Sequence, residues 1–137
     1  MFGLIEDSDQ IKGSLREMSN STTMLAPGGL RSLSAMDQFY REGSDYWRGN
    51  IWISVNFLAL RGLFDNYMDV NNFNVQGAQI NTGRDLYNII RYRVIKSVYQ
   101  NWLIEHRFWE NFNDMTGEGQ FAYPFTGWTT LILLIVS

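Results

Sequence analysis

The 137-residue sequence predicts an all-α fold. Two stretches, 51–67 and 84–107, repeat apolar residues at helical spacing, and no stretch alternates apolar with polar residues as a half-buried strand does. The length suits one domain with a real core, and a composition of 45% hydrophobic and 18% charged residues fits a folded chain.

Residues 7–18 open as a short helix, with Ile11, Leu15 and Met18 on one side. Residues 20–29 form a loop rich in Ser, Thr and Gly. It includes Asn20-Ser21-Thr22, a formal glycosylation sequon of a kind that chance also supplies often. Leu30-Arg31-Ser32-Leu33-Ser34 then leads through a polar link to Ser44. In the 51–67 helix, a step of about 100° per residue puts Asn50, Ser54, Arg61 and Asp65 on one narrow stripe. Nearly everything else there is apolar, which predicts a helix wrapped by neighbours over most of its circumference. Asn56 breaks the pattern, and once buried its amide needs partners on the apolar side.

Residues 68–83 are polar and Asn-rich, with Gly77 and Gly83, and read as a connecting loop. Thr82-Gly83-Arg84-Asp85 resembles a capping box that starts the next helix. That longest helix, 84–107, carries one stripe of Leu86, Ile90, Val94, Val98 and Trp102 and another of Tyr92, Ile95, Tyr99 and Leu103, so neighbours are expected on both sides. Residues 108–112 close it. Gly117, Gly119 and Pro124 make 113–124 a loop. Thr126 is placed to cap a last segment, 127–136, whose β-branched content fits either helix or buried strand. Helix should account for well over half of the chain.

Composition removes several functions. A net charge of -3, with basic residues scattered, argues against a nucleic-acid binder. Zero Cys excludes disulfides, thiolate metal sites and a cysteine nucleophile. The one His, His106, has no second His or Cys at ligand spacing, which argues against a metal site and against a Ser-His-acid triad. Neither Gly28-Gly29 nor Gly117-Glu118-Gly119 has the spacing of a phosphate-binding loop. Met1-Phe2-Gly3-Leu4-Ile5 runs into Glu6 and Asp7 without the basic start and apolar core of a signal sequence. The longest apolar run, 131–136, falls far short of the roughly 20 residues that span a bilayer. Because that run lies at the end of the sequence, the chain is expected to be a piece of something longer.

Two places can carry chemistry. Trp47, Arg48 and Trp52 stand together at the mouth of the 51–67 helix, and 15% of all residues are aromatic. Indole faces pack on sugar C–H surface while a guanidinium donates hydrogen bonds, so the group suits a polar ring-shaped ligand. Core packing, with Arg48 neutralising a nearby carboxylate, explains the same residues. Glu110, between Trp109 and Asn111 at an expected helix end, has surroundings that disfavour a charged carboxylate and suit a general base. A solvated surface Glu is the plain alternative.

Taken together, these pieces resemble one family. Leu30-Arg31-Ser32-Leu33-Ser34, Tyr46-Trp47-Arg48-Gly49-Asn50-Ile51-Trp52, Val55-Asn56-Phe57-Leu58, Trp109-Glu110-Asn111-Phe112, Gly117-Glu118-Gly119 and Pro124-Phe125-Thr126-Gly127-Trp128-Thr129 follow its order and approximate spacing. The family is glycoside hydrolase family sixty-three, that of the processing mannosyl-oligosaccharide glucosidases, and the resemblance covers Leu30 to Val136. It implies that residues 1–137 are the C-terminal portion of an (α/α)6 glycosidase domain, a partial barrel. It also implies an inverting α-glucosidase that removes the terminal α-1,2-linked glucose of the N-glycan precursor, in the lumen of the endoplasmic reticulum and without a cofactor. Family members are often membrane-anchored at the N-terminus.

Inversion uses two carboxyl groups roughly 6.5–9.5 Å apart, one protonating the leaving oxygen and one activating water. The resemblance assigns the base to Glu110 and the pocket lining to Trp47, Arg48, Trp52, Phe125 and Trp128, with Arg31 a less specific match. Gly49 and Gly127 then serve close backbone approach. The family's acid Asp belongs to a motif upstream of Leu30, and nothing in 1–29 resembles it. The expected partners are therefore an oligosaccharide and the upstream part of the same domain, and the isolated chain is expected to be inactive. Rival readings are a related glycosidase of the same barrel class, bacterial or trehalase-like, and a non-catalytic carbohydrate-binding or structural helical module.

Overall fold

The computed structural model describes residues 7–68 and 78–137. It is mostly helical, at 54%, and residues 106–112, expected to end and close the long helix, run instead as loop and a short extended piece. Helix α1 (Ser8–Ser19) starts where Asp7 accepts hydrogen bonds from the amides of Asp9 and Gln10, and it buries Leu15 with Ile11 and Met18 beside it.

Helix α2 (Ile53–Leu63) runs on into a π-helical turn, Phe64–Met68. Its buried positions Ile53, Asn56, Leu60 and Leu63 form one face, and Arg61 pairs with Asp65 at 2.9 Å on the outer side. Leu58 and Phe64 are exposed, so among the described residues α2 is covered on one face rather than wrapped. Asn50 is buried and not on the polar stripe, because it precedes the helix and does not follow its period.

Helix α3 (Ala78–Glu105) begins before the expected Arg84, so the loop reading fails for 78–83 and Thr82 lies inside the helix rather than at its start. Gly83 marks close packing: a Cβ at that position would lie 2.3 Å from the Tyr67 ring. Residues 69–77 of the expected loop lie outside the described residues. The stripe Leu86, Ile90, Val94 and Val98 is buried, and Ile95 of the second stripe packs against the core, whereas Tyr92, Tyr99, Trp102 and Leu103 are left exposed among the described residues. After a 3-10 turn at Trp128–Leu131, α4 (Ile132–Val136) resolves the last segment as helix. Its start has no side-chain cap from Thr126. Arg91 of α3 closes its end instead, donating to the carbonyls of Ile135 at 2.8 Å and Val136 at 2.7 Å.

Short antiparallel rungs tie the loops together. Strands β1 (Leu25–Ala26) and β2 (Gly29–Leu30) form a hairpin, Arg31 bridges Ile51, Ile51 bridges Phe112, and β3 (Asn111–Phe112) pairs with β4 (Gly119–Gln120). Two-residue strands leave no alternation to detect, so the all-α reading misses this narrow ladder.

Asn56 joins ladder and helices. Fully buried, it accepts from the Leu30 amide at 2.7 Å and donates to the carbonyls of Leu30 at 3.0 Å and Trp52 at 2.9 Å. The amide completes the backbone pairing of Leu30, the need that its place on an apolar face implies. Asn56→Leu strands a buried donor and acceptor, so a loss on the order of 3 kcal/mol is expected, read as a lower melting temperature of the full-length protein.

Candidate active site

Glu110 stands between the end of α3 and β3. The helix stops at Glu105, His106 takes a left-handed φ of 57°, and 108–112 are not helical. The expected helix-end dipole therefore does not act on Glu110. Its surroundings come from burial and hydrogen bonds: the residue is 9% exposed, Oε1 accepts from the Tyr46 hydroxyl, and Oε2 accepts from the Ala122 amide at 3.2 Å. Its backbone is held equally well. The amide donates to the Ala122 carbonyl at 3.1 Å, and its carbonyl accepts from Trp128 Nε1 at 3.0 Å and Thr129 Oγ1 at 3.3 Å. The hydrogen bond to Glu110, then burial and the carboxylate charge, push the Tyr46 hydroxyl above its usual 10.0, so it stays a proton donor at neutral pH.

Tyr46 links the carboxylate to the aromatic residues. Its ring meets Trp47, Trp52 and Phe121 edge-to-face at 5.7, 4.7 and 4.8 Å. Trp47 stacks on Trp52 at 3.8 Å and remains 51% exposed, while Trp52 is fully buried and donates Nε1 to the Tyr46 carbonyl at 3.1 Å. Trp128 lies 5.4 Å from Trp52, and Phe125 lies 5.0 Å from Trp128. A Cβ on Gly127 would lie 2.5 Å from the Phe125 ring, and one on Gly49, at φ 135°, 2.6 Å from the Tyr40 ring. Both glycines serve close approach, as their motifs imply.

A second cluster braces the first. Asp114, with no exposed surface, accepts from Arg31 Nε at 2.6 Å, from the Tyr40 hydroxyl at 2.7 Å and from Arg41. Burial pushes its carboxyl up, but the hydrogen bonds from Tyr40, Arg41 and Arg31 and the charge of Arg41 outweigh it and hold the group below its usual 3.8.

Residues 1–137 match the glycosyl hydrolase family 63 C-terminal domain. The chain belongs to glycosyl hydrolase family 63. This family 63 domain is 38% identical over 138 residues to a Schizosaccharomyces pombe protein named "Probable mannosyl-oligosaccharide glucosidase", a match covering 100% of the domain and 16% of that protein. It is 30% identical over 131 residues to the mannosyl-oligosaccharide glucosidase of Saccharomyces cerevisiae, covering 96% of the domain and 16% of the relative. With alpha-glucosidase 2 of Arabidopsis thaliana the identity is 32% over 143 residues, covering 100% and 17%.

Of the site residues expected from sequence, the family 63 domain gathers Glu110, Trp47, Trp52 and Trp128 around Tyr46 and the Glu110 backbone, with Phe125 against Trp128. Trp52 is fully buried, and Arg31 donates to Asp114 and to the carbonyls of Ser21 and Thr23. Arg48 lies apart from the Glu110 hydrogen bonds, 5.6 Å above the Phe39 ring and donating to the Glu42 carbonyl at 2.7 Å. Among the described residues it has no carboxylate partner, so its other donors are not committed to an ion pair. Sequence reasoning passes over Tyr46, although it adjoins Trp47, and also Ala122, which bonds Glu110, and Phe121, which meets Tyr46, both brought there by the Asn111–Gln120 register. The Gly117-Glu118-Gly119 turn is the one signal that the chain folds back there.

Proposed function

We propose that this domain is the C-terminal part of an (α/α)6 barrel in an inverting α-glucosidase that removes the terminal α-1,2-linked glucose from the N-glycan precursor in the endoplasmic reticulum. Glu110 is the general base. Its carboxylate, buried yet anchored through both oxygens and held by Tyr46, whose ring meets the half-exposed Trp47, is the observation that carries the reading. The names of the yeast relatives, mannosyl-oligosaccharide glucosidases, support the substrate class.

In the reaction, Glu110 takes a proton from a water as that water attacks the anomeric carbon, and an acid from outside this chain protonates the departing oxygen. Tyr46 and the Ala122 amide fix the direction of the carboxylate, so the water meets one orientation of the base. The open face of Trp47 packs on the sugar, and Arg48 supplies hydrogen-bond donors near it. Trp52 and Arg31 support this wall from behind.

The test is the full-length protein on a glucosylated oligosaccharide, with released glucose followed by NMR. β-Glucose appearing first supports the reading. α-Glucose first refutes inversion, and tight binding without turnover refutes the hydrolase. Turnover by the isolated 137 residues would refute the division of the catalytic pair between segments.

A further inference from the structure

We propose that Phe121 is a specificity-determining residue whose ring packs against a C–H face of the bound oligosaccharide beside Glu110. The inference deepens the proposed function and rests on it. Three observations meet at this residue.

Phe121 has a φ of 66°, the left-handed region that a bulky side chain occupies only at a cost in free energy. A Gly would make the same turn without that cost. The ring is 48% exposed, so burial returns little of what the backbone loses. Its neighbour Ala122 holds Glu110 by two hydrogen bonds, 3.1 Å from the Glu110 amide and 3.2 Å to Oε2. The strained turn therefore sets an open aromatic ring against Tyr46, whose hydroxyl holds the base.

Tyr46 defines the direction of this surface. It meets both Phe121 and Trp47 edge-to-face, and both of those rings keep about half of their surface free while the Tyr46 hydroxyl holds Glu110. Two open aromatic rings on one tyrosine, with the carboxylate at its hydroxyl, form a platform of the kind that sugar C–H faces pack on. The competing explanation is that Phe121 merely steadies the Tyr46 ring.

The experiment compares Phe121→Gly and Phe121→Trp with the parent in the full-length protein. It measures melting temperature, kcat and KM on a terminally α-glucosylated oligosaccharide, and calorimetric Kd for that sugar in the Glu110→Gln background. Phe121→Gly is expected to keep or raise the melting temperature, to raise KM and Kd about tenfold, and to change kcat little. Phe121→Trp is expected to retain affinity. An unchanged Kd and KM, or a loss confined to kcat, overturns the proposal, because a ring that only steadies Tyr46 acts through the base. Full activity of the Glu110→Gln protein is a separate failure, that of Glu110 as the general base, and the KM comparison still decides the role of Phe121.

Discussion

Glu110→Gln in the full-length protein lowers kcat on a glucosylated oligosaccharide by about 10²- to 10⁴-fold while the melting temperature and KM stay near those of the parent. The substitution fits the site. A Gln oxygen still accepts from the Ala122 amide, and its NH2 donates to the Tyr46 oxygen, which accepts as readily as it donates. Shape, backbone bonds and the Trp128 contact are preserved, and only the capacity to take a proton is gone. A structural Glu would give the opposite pattern, with stability falling and rate holding. Steady-state kinetics alongside thermal melts separates the two.

Asp114→Ala produces the largest expected loss of stability, about 3–5 kcal/mol, because it leaves the buried Arg31 guanidinium and the Arg41 charge without their partner. The bonds span 83 and 73 residues of sequence, joining the loop before α2 to the turn after β3. Losing them loosens the frame that fixes Glu110 relative to Trp47. The pH dependence has a definite sign. Because the folded carboxyl is held below its unfolded value, its contribution is complete above about pH 4 and is lost as the pH falls through the lower, folded value. Thermal melts from pH 7 to pH 3 should show the parent weakening at the acid end. Asp114→Asn should start lower at pH 7 and decline less steeply, since it has no carboxyl to protonate.

The three longer helices are legible in the sequence because burial imposes a period of 3.6 on Leu15, Leu60 or Val94, and Asn56 stands out as the polar residue that breaks that period. The start of α3 is not legible. Residues 78–83 read as loop from Asn and Gly, and the reason for Gly83 is the Tyr67 ring packed against it, a contact from another helix. Trp47 and Trp52 look alike in sequence, yet one is the outer and one the inner ring of a stack, because Trp52 opens α2 with its side chain in the core. Glu110 is found by its motif, but its true neighbours, Tyr46 and Ala122, depend on a ladder of two-residue strands that local patterns do not reveal. Phe121 is hidden for the same reason, since its strained φ is a property of the fold.

The most direct measurement adds azide to the Glu110→Ala variant of the full-length protein. Azide needs no base to make it nucleophilic and takes the place of the activated water in the space the carboxylate leaves. The variant alone is expected to be nearly inactive and azide to restore turnover, with a β-glucosyl azide formed from the α-glucoside. Hydrolysis at the parent rate without azide would contradict Glu110 as the general base.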